Sequence, residues 1–115
     1  MALSEFELKK CEKALDNFLS LRRPPAHIRD EVDLQYRIEN QSVVIFEVRP
    51  EWQDPSRKME IPVAKATFVK RQKIWKVCWQ RQDLKWHSYP PDPEVKSIED
   101  FVAIVDEDAN CCFFG

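Results

Sequence analysis

Between Leu8 and Leu19 the apolar side chains fall at Leu8, Cys11, Ala14, Leu15, Phe18 and Leu19, the spacing of one helix face. Ser4 stands where an N-cap belongs and Glu7 follows at the capping-box distance, with Leu3 and Leu8 at the hydrophobic-staple positions. Pro24 and Pro25 end this helix, because proline donates no backbone hydrogen bond and restricts the residue before it. After a loop the period changes to two. Val32, Leu34, Tyr36 and Ile38 alternate with Asp33, Gln35, Arg37 and Glu39, which predicts a half-buried strand. Asn40-Gln41 then makes a tight turn, since Asn tolerates left-handed backbone. The return strand, Ser42 to Arg49, sets Val44, Phe46 and Val48 on one face and Val43, Ile45, Glu47 and Arg49 on the other. Glu47 is expected to face water.

Pro50 to Pro62 reads as a polar connection holding Trp52 and Met59, with Trp52 expected to pack on the core. A strand from Val63 to Lys70, a turn at Arg71-Gln72-Lys73 and a strand from Ile74 to Arg81 follow. Trp75, Val77 and Trp79 share the inward face of the latter. Leu84 to Tyr89 forms a short edge strand, stopped by Pro90, Pro91 and Pro93. Ser97 and Asp100 start a second helix whose stripe is Ile98, Phe101, Val102 and Val105. Phe113 and Phe114 are expected to pin the tail to the body. The order is helix, four or five antiparallel strands, helix. This predicts an α+β two-layer sandwich with both helices on one face of the sheet, forming a single domain over residues 1–115. Arg37, Glu47, Lys65 and Lys76 are expected on the uncovered face.

Composition narrows the class. At 115 residues, 43% apolar and 33% charged, the chain suits one folded domain rather than a disordered segment. It has no apolar run approaching the roughly 20 residues that cross a bilayer. Glu5 and Glu7 lie where a signal peptide would be basic, so a cytoplasmic protein without membrane contact is expected. The four cysteines include no C-x-x-C pair, and the adjacent Cys111 and Cys112 rarely bridge each other, so all are read as thiols. The only glycine is Gly115. Gly-rich phosphate loops and the G-x-S-x-G nucleophile elbow are therefore excluded.

Charge is unevenly spread. From Val63 to Tyr89 the chain carries +6, against −2 for the whole. Trp75, Trp79 and Trp86 are interleaved there with Lys65, Lys70, Arg71, Lys73, Lys76, Arg81 and Lys85. Such a pattern suits single-stranded nucleic acid, with bases on aromatics and cations along phosphates. Two points oppose that reading: the inward direction of Trp75 and Trp79, and a sequence pI near 5.7. Asp106, Glu107 and Asp108 end the second helix, where negative charge opposes the helix dipole. The basic hairpin is expected to neutralise them, within the chain or across a dimer.

Three blocks and a terminus carry a resemblance. They are Arg22-Arg23-Pro24-Pro25 with His27-Ile28-Arg29-Asp30, Ala64-Lys65-Ala66-Thr67 with Trp75 and Trp79, and Asp83-Leu84-Lys85-Trp86-His87 with Tyr89. Cys112-Phe113-Phe114-Gly115 closes the chain. Over almost its whole length the chain resembles a bacterial family of small proteins known as the domain of unknown function numbered 3024. The resemblance implies a small cytosolic protein and assigns no catalytic residue.

The candidate chemistry is sparse. No spacing unites His27, His87, Cys111 and Cys112 or the acids Asp30, Glu31 and Asp33 into a metal site, and no metal or cofactor is expected. Asp33 on one strand with Glu47-Val48-Arg49 on the next echoes a metal-dependent nuclease core. Arg49, however, stands where that chemistry uses lysine. The leading reading is a non-enzymatic interaction domain that meets a protein partner or itself through the uncovered face and the Lys85–Tyr89 edge. Arg37, Glu47, Arg49, Lys65, Lys76, Lys85 and His87 are its candidate contacts. Single-stranded nucleic-acid binding and, behind it, the nuclease using Asp33, Glu47 and Arg49 are the alternatives.

Overall fold

A computed structural model describes residues 3–81 and 83–108. Helix α1 (Glu5–Arg22) starts at Ser4, whose hydroxyl accepts from Glu7 N–H while the Glu7 carboxylate accepts from Ser4 N–H. The capping box read from the sequence is thus complete. Strands β1 (Asp33–Glu39), β2 (Ser42–Pro50), β3 (Lys58–Val69) and β4 (Ile74–Gln80) form an antiparallel meander. Two short strands, β5 (Trp86–Ser88) and β6 (Glu94–Val95), both pair with β4. Helix α2 (Ile98–Glu107) begins at Ser97, which accepts from Asp100 N–H. The α+β class, the helix–sheet–helix order and the antiparallel pairing agree with the sequence reading.

Both helices pack on one face. Cys11, Leu15 and Phe18 of α1 and Ile98, Phe101 and Val105 of α2 join Leu34, Val43, Ile45, Ala64, Ala66, Trp75, Val77 and Tyr89 in a single buried cluster. Trp75 and Val77 therefore point inward, as alternation predicts, and Trp79 packs partly against the same cluster.

Three expectations are corrected here. First, the inward row of β2 is Val43 and Ile45, not Val44, Phe46 and Val48. Ladder pairs Tyr36↔Ile45 and Ile38↔Val43 tie those residues to the helix side. Glu47 alternates with Phe46 and thus also faces the helix side, opposite Leu34. Val43 to Phe46 are all buried. A strand apolar on both faces offers no alternation from which to read direction.

Second, the polar connection is only residues 51–57. Lys58 to Pro62 extend β3 and pair with Phe46 to Pro50. The register shifts between Ile45 and Phe46, and this bulge lets Pro62, which has no N–H to donate, sit inside a strand. Third, Trp52 lies 84% exposed in this connection rather than on the core.

The β1–β2 turn places Asn40 at φ 53°, the left-handed backbone expected of it. Along the outer edge of β4, β5 and β6 are separated by Tyr89 to Pro93. Tyr89 N–H donates to Val77 O and Val77 N–H donates to Pro93 O. The three prolines thus sit where the edge would otherwise offer donors.

The inward row of β2 can be tested directly. Ile45→Ala should cost about 2–4 kcal/mol in urea unfolding. Val48→Ala on the opposite face should cost less than about 1.5 kcal/mol.

Candidate functional site

The uncovered face of the sheet is built by alternation from β1 to β5. Arg37 on β1 lies across from Val44, and Val44 lies across from Lys65 on β3. Lys65 in turn faces Cys78, and Thr67 faces Lys76, on β4. Among the described residues no helix covers this face. Its floor is nevertheless apolar: Val44 and Phe46 are each 4% exposed, and Val48, Pro62, Cys78 and Trp86 are half-buried.

Cations cover this floor. The Arg37 guanidinium lies 4.8 Å from the centre of the Phe46 ring and also pairs with Glu39 and Glu60. Lys65 Nζ lies 5.7 Å from the centre of the Trp86 ring. At the edge, Arg81 stacks 5.7 Å from Trp79. Two of the seven cations of the interleaved segment, Lys65 and Arg81, thus make cation–π contacts within the sheet. Lys65 and Lys76 have no carboxylate partner within ion-pair distance among the described residues.

The other candidates lie elsewhere. Glu47 and Arg49 share the helix-side face and pair with each other at 3.3 Å. His87 lies across from Trp79 on that same side, and its Nε2 is 2.9 Å from Asp83 Oδ2. The Lys85 N–H, and after it His87, hold the Asp83 carboxyl below its ordinary value. Lys85 is exposed in the β4–β5 turn. Of the seven candidates, the structure brings only Arg37, Lys65 and Lys76 onto the uncovered face.

Asp33, Glu47 and Arg49 do not converge. Asp33 lies across from Val48 and Glu47 across from Leu34, so the two acids occupy opposite faces of the ladder. Asp33 is also engaged: Arg23 Nε and an Nη each donate to it at 2.8 Å, and Leu34 N–H and Gln35 Nε2 add further bonds. The Arg23 guanidinium holds the Asp33 carboxyl well below the usual range, against the upward effect of burial. This fork ties the end of α1 to the start of β1. Among the described residues no group of three His, Cys, Asp or Glu side chains is placed to hold a metal ion. Cys111, Cys112, Phe113 and Phe114 lie outside the described residues.

Within the chain, the expected neutralisation of Asp106 by the basic hairpin is corrected. Asp106 pairs with Arg22 at the end of α1, at 3.3 Å, and not with the basic hairpin. The two helices lie side by side, so Arg22 is nearer than any residue of the β3–β4 turn.

Sequence reasoning passed over one cleft. It lies where the first turns of α1 and α2 meet the β3–β4 turn, and it draws Lys10 and Lys96 beside Lys70 and Lys73. The signal was present in the paired caps Ser4 and Ser97, but no sequence spacing shows that the two helix starts adjoin.

The chain belongs to the family described as Domain of unknown function (DUF3024), whose pattern matches residues 3–115. No curated protein and no solved structure matches it. Among the described residues no helix is long and apolar enough to cross a membrane.

Asp33→Asn should destabilise the fold by about 2 kcal/mol in chemical denaturation at neutral pH. The depressed carboxyl stabilises the folded state above the unfolded value of about 3.9. That contribution is lost as pH falls through the lower folded value. In the wild type an acid unfolding curve should show this loss, and the variant should lack it.

Proposed function

We propose that the protein is a non-enzymatic, cytoplasmic interaction domain whose contact surface is the uncovered face of the sheet. One observation carries the reading: a two-layer fold leaves Val44, Phe46 and Trp86 on a face that only cations cover. Val44 and Phe46 are already only 4% exposed beneath these side chains, so a partner would meet Trp86 and the aliphatic stems of the cations. The free thiols Cys11 and Cys78 are compatible with a reducing compartment.

The partner argued from charge is a second copy of the chain. Around Arg37 stand Glu39 and Glu60, one net negative charge among the three, with Lys58 two residues from Glu60 along β3. Toward the β4 half, Lys65 and Lys76 have no carboxylate within ion-pair distance among the described residues, although Glu94 lies across from Lys76. A two-fold axis parallel to the strands sets each half against its opposite in the other copy, the self-complementarity that a closed pair needs. Two sheets then pack face to face at a separation of about 10 Å. The nucleic-acid alternative has less support, since Trp75 is buried and Trp79 turns toward the core.

Sedimentation at about 100 µM tests the reading. A dimer is expected, and Lys65→Glu with Lys76→Glu should dissociate it. Adding Glu39→Lys and Glu60→Lys on the other copy should restore a mixed dimer. A wild type that stays monomeric at that concentration rejects self-association through this face.

A further inference from the structure

The cleft beside the helix starts has a volume of about 510 Å³, within the range of small-molecule sites. Lys10, Lys70, Lys73 and Lys96 approach it from four different segments. None of their ammonium groups has a carboxylate within ion-pair distance among the described residues. Glu7 is the one carboxylate in the described lining, and it accepts from Ser4 N–H at 3.0 Å. Four like charges around one cavity repel each other, and an anion between them removes that cost. Arg37, Arg49 and Arg57 by contrast have carboxylates, and Lys65 and Arg81 have indoles, while Lys76 on the sheet face lacks a carboxylate as the four cleft lysines do.

The cavity also has an aromatic wall. Phe68 and Trp75 pack as a tilted pair with centroids 5.0 Å apart, and both line it. Phe6 stands at the opposite side, 73% exposed, with Lys10 Nζ 6.0 Å from its ring centre. A bare phenyl ring on the first turn of a helix is costly to leave in water and suits a flat apolar guest. Both helix starts add partial positive charge, set against the first-turn acids Glu5, Glu7, Glu99 and Asp100.

We propose that this cleft binds a small organic dianion, a phosphate monoester carried on an aromatic body. The lysines hold the phosphate, and Phe6, Phe68 and Trp75 receive the ring. A volume of about 510 Å³ suits a monomer, and a polymer is the competing guest that titration with an oligonucleotide separates from it. The site binds and does not react. Cys11 contributes to the lining, but burial first and Glu7 second push its thiol up to about 11, so it stays protonated and poorly nucleophilic at neutral pH. This inference is independent of the sheet face, which shares none of these residues.

Calorimetric titration of the full chain with phenyl phosphate, adenosine monophosphate, inorganic phosphate and a single-stranded oligonucleotide tests it. Both aryl or nucleoside phosphates should bind saturably below about 1 mM and weaken with added salt. Lys70→Glu with Lys96→Glu, at two exposed positions, should lower their affinity more than about tenfold. Phe6→Ala should weaken phenyl phosphate and leave inorganic phosphate unchanged. Four outcomes overturn the proposal: no saturable binding of either monoester, equal affinity for inorganic phosphate, indifference to the double lysine variant, or tighter binding of the oligonucleotide than of the monomers.

Discussion

The fold depends on one packing contact, between the apolar stripes of α1 and α2 and the inward rows of the sheet. Ala64 and Ala66 are both fully buried at the middle of the sheet. Small side chains there leave room for Leu15, Phe101 and Val105, which are also fully buried. Among the described residues both α-helices lie on the same face of the sheet. The second face of the sheet is left to its own side chains, and Arg37 over Phe46 and Lys65 over Trp86 are how it copes.

The two helix ends are treated differently, and that difference organises the charges. At the C-terminal ends, Arg22 meets Asp106, and Arg23 at the cap of α1 reaches across to Asp33. These pairs join helix to helix and helix to sheet. At the N-terminal ends the hydroxyls of Ser4 and Ser97 serve their own helices, and the neighbouring lysines are left unneutralised. Ion pairs thus lock one end of the helix layer, whereas at the other the first-turn acids Glu5, Glu7, Glu99 and Asp100 stand near lysines they do not pair with, apart from Glu5 with Lys9.

What the sequence disclosed followed periodicity closely. The stripes of both helices, both serine caps, the Asn40 turn and the inward Trp75 and Val77 were all legible because each has one polar and one apolar side. The β2 direction was not, because Val43 to Phe46 are apolar throughout and only pairing with β1 decides. The start of β3 was missed because Lys58, Glu60 and Pro62 look like loop until a bulge accommodates the proline. The candidate surface was partly legible. Arg37, Lys65 and Lys76 follow from alternation, whereas Glu47 and His87 needed the register. Of the cleft only the two serine caps were legible, since Lys10 and Lys70 are brought to it only by folding.

The proline-studded border along β4 has a consequence for how these molecules can meet. Its two short strands leave little regular backbone to template another chain. The opposite border, β1, is a full strand of seven residues. A sheet that can accept a neighbour along one rim alone joins at most two molecules and then stops. Backbone pairing beyond such a pair has only the three residues of β5 and the two of β6 to start from.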